Sequence, residues 1–318
     1  MNEELRTRIR LPFLLAFLTM ALLVLVSFAP PPSAGSPGRT DAVVVWGEEP
    51  AVSGHAYLVR IAGSRTPILK RREWKRMSPA SLTKLMTAVV AEEQIARSGR
   101  VRFSRDAKKV EEKTSSARPG DAFLRDDAVR MALVASYNDA ALALAETAGK
   151  SKMGGGFAER ISRFTGLMNE KAAALGLADT HFENPTGLDQ DGHHASAEDL
   201  AEIGEYVLAA HPDLWEISRT IEAVVYSDKD APHTIRTTNE LLHEFPGLLG
   251  GKTGFTDRAQ GALLLLYPVR STLREAAAGA LRTPYPARER GTAIIVILGS
   301  PDRFGDARKI IHWLDEDF

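Results

Sequence analysis

The sequence predicts an α+β fold: an antiparallel sheet of about five strands flanked by helices, with a helical region inserted between the strands. Strand-like segments lie near both ends of the folded part and helical patterns fill the middle, so distant strands must meet in one sheet covered by helices. Hydrophobic residues make up 44% and charged residues 25% of 318 residues, an ordinary globular composition with ample material for a core.

The first 28 residues stand apart. Arg6, Arg8 and Arg10 precede an uncharged stretch, residues 11–28, whose length lies between a secretory apolar region and a full membrane span. Residues 1–28 are therefore expected to be a signal peptide or a signal anchor. Either exports the rest of the chain, because the arginines stay on the cytoplasmic side. Residues 29–55, rich in Pro, Gly and Ser, are an expected linker. Residues 56–61 and 67–70 are expected to form a strand pair around Gly63-Ser64. A helix is expected from Ser81 toward Ile95, with Leu85, Met86, Val89 and Val90 at helical spacing. Residues 131–146 form a second expected helical region, 157–175 a third helix and 197–208 a fourth. Lys252 opens an apolar strand running through 263–266, residues 292–298 form another, and 306–314 a closing helix.

Formal net charge is -1 and no long basic run occurs, so no nucleic-acid partner is expected. The chain has no cysteine, which excludes disulfides, thiolate metal sites, cysteine nucleophiles and cysteine-linked lipid anchors.

Three short motifs follow one another: Ser81-Leu82-Thr83-Lys84, Ser136-Tyr137-Asn138 and Lys252-Thr253-Gly254. Singly each is weak; together, in this order, they mark a serine acyl-transferase whose base is a lysine. Three residues apart on a helix, Ser81 and Lys84 share a face. A lysine acts as a base only when neutral, which requires a downward pKa shift of roughly 3 units. Burial and a second cation, Lys252, both push that way. Ser136 can pass a proton to the leaving group by bridging the two lysines, and the Asn138 amide can orient substrate. Gly254 permits close backbone approach, and the N–H groups of Ser81 and Phe255 can form an oxyanion hole.

A rival cluster, Asp189, Asp191, His193, His194, Glu198 and Asp199, holds enough ligands for zinc or calcium. Its spacing matches no metal motif, however, and Ser196-Ala197-Glu198-Asp199 reads as a helix start. No metal and no cofactor is expected.

With its motifs, the chain resembles the low-molecular-mass penicillin-binding proteins that act as serine-type D-alanyl-D-alanine carboxypeptidases. Further similar stretches are Pro79 through Ala88, Asn138-Asp139-Ala140-Ala141, Met168-Asn169, Leu175-Gly176-Leu177, Asn184-Pro185-x-Gly187-Leu188, His194-x-Ser196-x-x-Asp199-Leu200 and Thr238-Asn239-x-Leu241-Leu242. The resemblance covers roughly residues 56–318, which it implies to be one catalytic domain with a β-lactamase/transpeptidase-like fold. It implies Ser81 as nucleophile, Lys84 as its base, and Ser136, Asn138 and Lys252 as the supporting catalytic set. It places Thr253, Gly254, Phe255 and Arg303 at the substrate, Thr253 and Arg303 on its terminal carboxylate. The implied partners are peptidoglycan stem peptides, β-lactams as covalent inhibitors, and the membrane if the N-terminal segment stays uncleaved; the implied location is the cell envelope, outside the cytoplasm.

Two departures stand out. The family's Ala-Gly pair after K-T-G is here Ala259-Gln260-Gly261, and residues 267–291 replace a short hairpin, at the end of the strands far from Lys252. A class A β-lactamase shares the motif order but also carries Glu-x-x-x-Asn, and none of the five asparagines has Glu four residues before it. The same motifs also suit an endopeptidase acting on cross-links, or a catalytically silent protein that only binds peptidoglycan.

Overall fold

Pairing joins the two ends of the folded part, as expected. In the computed structural model, which describes residues 48–150, 154–270 and 289–316, β1 (Ala56–Ile61) and β2 (Leu69–Arg71) form an antiparallel hairpin. A 3-10 turn, Ala80–Leu82, leads into α1 (Thr83–Gln94). The short strands β3 (Arg100–Arg102) and β4 (Ala122–Leu124) pair with each other. The helical region follows: α2 (Arg125–Leu133), α3 (Asn138–Ala148), α4 (Phe157–Ala174), α5 (Ala197–Ala210) and α6 (Pro212–Ser218). A second hairpin, β5 (Glu222–Tyr226) with β6 (Pro232–Arg236), and the single turn α7 (Leu241–Glu244) lead back to the sheet. There β7 (Gly250–Thr256), β8 (Gln260–Arg270) and β9 (Glu289–Ser300) precede the last helix, α8 (Arg303–Glu316). The main sheet has five strands in the order β2-β1-β9-β8-β7, all antiparallel, with β7 at one edge.

The apolar runs of β8 and β9 are continuous because the sheet is covered on both faces, so neither side of a strand may be polar. Leu58, Leu264, Leu266, Ile294 and Val296 join a core with α1 to α5. Their neighbours Val59, Leu263, Leu265, Ile295 and Ile297 join a second core with Ile310, Ile311 and Leu314 of α8. Lys252 and Gly254 pair with Leu264 and Ala262, so they share the face that meets the helical region.

Two expected elements prove to be divided. Residues 131–146 are α2 and α3 with a break between them, where Ser136 adopts φ 60° and the Val134 carbonyl accepts from Thr238 N instead of continuing the helix. The strand opening at Lys252 is the β7–β8 hairpin, turned at 257–259, and Gln260 takes φ 55° where a glycine would sit without strain. The expected signal or anchor at 1–28, most of the 29–55 linker and 271–288 of the insert lie outside the described residues. Among the described residues no helix is long and apolar enough to cross a membrane.

Arg60 of β1 is fully buried against α5, where its guanidinium meets Glu198 and Glu202 at 2.8 Å and Glu205 at 2.9 Å. Burial pushes the Glu198 carboxyl up and Arg60 pulls it back. Arg60→Ala would leave a half-buried group of like charges without its cation. The expected loss is about 3–5 kcal/mol, read as a lower urea midpoint at unchanged m-value; a loss below about 1 kcal/mol would show that water already satisfies the carboxylates.

Candidate active site

The three motifs converge at the seam between β7 and the helical region. Ser81 lies in the 3-10 turn after Ala80, which takes φ 47°. Two glycines let the surroundings close on that turn. A Cβ at Gly254 would lie 2.9 Å from Ala80 Cβ and 3.0 Å from Ser81 N. One at Gly187, φ 82°, would lie 1.9 Å from the Ala80 carbonyl oxygen. Any side chain there would force strand or loop away from Ser81.

Lys84, 0% exposed, sits at the centre. Its Nζ lies 2.7 Å from Asn138 Oδ1, 2.6 Å from the Thr186 carbonyl oxygen and 2.9 Å from Ser81 Oγ. Burial, followed by the positive charge of Lys113, lowers its pKa to about 7, with Asp139 opposing. In the neutral amine, two N–H groups donate to the two carbonyl oxygens, which can only accept. The lone pair then faces the Ser81 hydroxyl, which donates to it. The same three oxygens accept all three N–H groups of the ammonium, so both protonation states are satisfied.

Lys252, 1% exposed, donates to Ser136 Oγ at 2.9 Å and to the Thr253 carbonyl at 2.8 Å. Burial, then Lys84, Lys113 and Arg303, hold its ammonium well below the ordinary range. Ser136 was expected to bridge both lysines; among the described residues it bonds Lys252 alone. The Thr253 hydroxyl lies 2.6 Å from that of Thr238, which also holds the 134–137 break through the Val134 carbonyl. Phe255 is 53% exposed beyond Gly254. Arg303, at the start of α8, lies over the Phe304 ring at 4.5 Å and 6.0 Å from that of Phe255. Its Nε is buried and makes no hydrogen bond among the described residues. All nine residues singled out from the sequence thus lie in or beside one site.

Reading the motifs alone missed the second layer. The Thr186 carbonyl and the loop before Asn138 act through backbone atoms and so carry no side-chain signature, and Thr238 stood only within a stretch similar to the family, with no role given to its hydroxyl. Gly254, expected to permit close backbone approach, does lie against the turn, and Gly187 is a second such glycine. The residues of the rival metal cluster have other partners. Glu183 N–H donates to His193 Nδ1 at 3.1 Å, so Nε2 keeps the hydrogen and donates to Thr83 Oγ1 at 2.9 Å. Asp199 accepts from Asp179 N and Thr180 Oγ1, both at 2.8 Å, and Ser196 caps α5.

A serine hydroxyl facing a buried lysine, at a seam between a five-stranded sheet and helices, is the build of a serine peptidase. The family model described as D-alanyl-D-alanine carboxypeptidase matches residues 47–270. The chain belongs to that family. It is 30% identical to D-alanyl-D-alanine carboxypeptidase DacF of Bacillus subtilis over 246 residues, 76% of this chain and 59% of the relative, so it spans well under two thirds of that protein. A D-alanyl-D-alanine endopeptidase of Pseudomonas aeruginosa is 28% identical over 94% of this chain and 86% of its own length. In fold the chain is similar to the Streptomyces K15 DD-transpeptidase, with TM-score 0.70 and 23% identity over 84% of this chain and 99% of that one.

The His193 hydrogen bonds carry a pH dependence. Burial lowers its pKa to about 4, so the folded state favours the neutral ring. Its stabilisation is complete above the unfolded value of about 6.5 and is lost as pH falls toward and through 4, up to about 3 kcal/mol. His193→Gln should flatten that part of the stability–pH curve in denaturant titrations, whatever it costs at pH 7. An unchanged slope between pH 6.5 and 4 would acquit His193.

Proposed function

We propose that the protein is a serine D-alanyl-D-alanine carboxypeptidase that removes the terminal D-Ala from peptidoglycan stem peptides through an acyl-enzyme on Ser81. The observation that carries this reading is the Lys84 amine, whose two N–H groups are taken by Asn138 Oδ1 and the Thr186 carbonyl, leaving its lone pair for Ser81. With a pKa of about 7, a large fraction of that amine is free base at neutral pH.

Ser81 Oγ attacks the carbonyl of the penultimate D-Ala while its proton passes to Lys84. The oxyanion forms against the N–H groups of Ser81 and Phe255, each such donor being worth about 3–4 kcal/mol. Ser136, backed by Lys252, gives a proton to the leaving nitrogen as the C–N bond breaks, and free D-Ala departs. Water then attacks the ester, its proton taken by a basic group of the site, and Ser81 is regenerated. The free edge of β7 suits an extended peptide, with its terminal carboxylate on Thr253 and Arg303. Such a substrate lies in the cell envelope, so the enzyme acts outside the cytoplasm, with residues 1–28 as its signal or anchor. A β-lactam offers Ser81 the same amide, its leaving nitrogen stays tethered, and it acts as a covalent inhibitor.

The purified protein should release D-alanine from a pentapeptide ending in D-Ala-D-Ala, and penicillin should leave a stable mass addition on the peptide containing Ser81. Ser81→Ala should lose both. Cleavage of cross-linked dimers without D-alanine release would replace the carboxypeptidase reading by an endopeptidase. Rapid penicillin turnover with no surviving adduct would favour a β-lactamase, and absence of acylation a silent binding protein.

If Arg303 holds the terminal carboxylate, Arg303→Ala should weaken a free-acid substrate by about 10- to 150-fold in kcat/KM, and its C-terminal amide far less. Equal losses on both would assign Arg303 to the packing of α8.

A further inference from the structure

The loop carbonyl that meets Lys84 belongs to a peptide group held at both ends. Thr186 O lies 2.6 Å from Lys84 Nζ, and the N–H of the same peptide group, on Gly187, donates to Asn184 Oδ1 at 2.8 Å. A trans peptide group is planar, so fixing its N–H aims its carbonyl the opposite way. The peptide group before it is held in the same fashion. Its carbonyl, on Pro185, accepts from the Thr87 hydroxyl at 2.7 Å, and its N–H, on Thr186, donates to Asn184 Oδ1 at 3.1 Å. Two successive peptide groups thus turn their carbonyls to α1 and their N–H groups to one side-chain oxygen.

The two holders belong to none of the three motifs. Thr87 is 0% exposed and lies three residues after Lys84, so both reach the loop from one face of α1. The Asn184 amide is itself oriented, because its Nδ2 donates to the Leu188 carbonyl at 3.0 Å and Oδ1 also takes the Thr186 hydroxyl at 2.8 Å. Direction matters here more than contact. A neutral amine held only by Asn138 could turn about its Cε–Nζ bond and swing its lone pair off Ser81. A second acceptor, fixed in place, removes that freedom.

We propose that Thr87 and Asn184 are positioning residues for acyl transfer: together they lock the Thr186–Gly187 peptide group so that its carbonyl occupies one N–H of the Lys84 amine and the lone pair stays on Ser81. This rests on the serine–lysine reading above. Neither residue touches substrate or the reacting atoms; each acts through the backbone it holds.

The test is the rate of acylation by a fluorescent penicillin between pH 5.5 and 9, for the full chain and for Thr87→Val, Thr87→Ser and Asn184→Ala. Valine fills the volume of threonine, so water is not admitted and only the bond to Pro185 is lost. For Thr87→Val and Asn184→Ala the rate at the top of the profile should fall about 3- to 10-fold, the size of one lost hydrogen bond. Affinity in the initial noncovalent complex should change little. The acid limb should move about 0.5 to 1 unit to lower pH, because the carbonyl stabilises an ammonium more than an amine. The charged groups bearing on Lys84, which are Lys113, Asp139 and Lys252, are the same in every variant. Thr87→Ser keeps the hydroxyl and should restore both rate and profile. Rates and acid limb unchanged in Thr87→Val and Asn184→Ala, with only thermal stability lowered, would overturn the proposal and make the two residues ordinary loop supports. Titration of Lys84 by NMR of ¹³C-labelled lysine, its signal identified by its loss in Lys84→Arg, needs no substrate. A Lys84 pKa unmoved in both variants overturns the proposal even if wild type fails to acylate, an outcome that would itself sink the functional reading instead.

Discussion

Around the buried amine of Lys84, three oxygens within hydrogen-bond reach satisfy either of its protonation states, and none of them carries a charge. Desolvation without a paired carboxylate destabilises an ammonium much more than an amine, so the energetic cost of burial is turned into basicity at the right place. That arrangement makes demands on distant parts of the chain. One oxygen comes from the turn before α1, one from the first residue of α3 and one from a loop carbonyl more than a hundred residues away in sequence. The fold can be understood as the scaffold that brings those three together and keeps water out.

The scaffold achieves this through close backbone approach. Gly254 lets the edge strand reach the Ser81 turn, and Gly187 lets the 184–188 loop close over it. Positive φ at Ala80 and at Ser136 marks where the chain bends against its preference to aim a hydroxyl inward. The broad apolar cores on both faces of the sheet are what such local strain is balanced against.

Much of this was legible in the sequence, and what was not has identifiable causes. Hydroxyls, amines and glycines in three spaced motifs announce a reaction, because side-chain chemistry is written residue by residue. Leu263 to Leu266 announce a strand, yet the turn before them was missed, since Gln260 does a glycine's work there without being one. The break at 134–137 was hidden for a similar reason: Val134, Ala135 and Tyr137 all suit a helix, and the interruption is imposed by Thr238 from across the site. The Thr186 carbonyl could not be foreseen at all, because every residue has one and only tertiary structure decides which is used. Ser136 was expected to touch both lysines and, among the described residues, bonds Lys252 alone, a distinction that spacing in the sequence cannot resolve.

The placement of the site on a seam has one further consequence. Ser81 and Lys84 come from the turn into the first long helix, Ser136 and Asn138 from the break within the helical region, and Lys252 from the sheet edge. Nothing short of the complete native arrangement assembles them. A nascent chain, or one partly opened along the seam, carries every reactive group and yet is chemically mute. This couples quality control to reactivity: a molecule of this peptidase family becomes able to react only once it has finished folding.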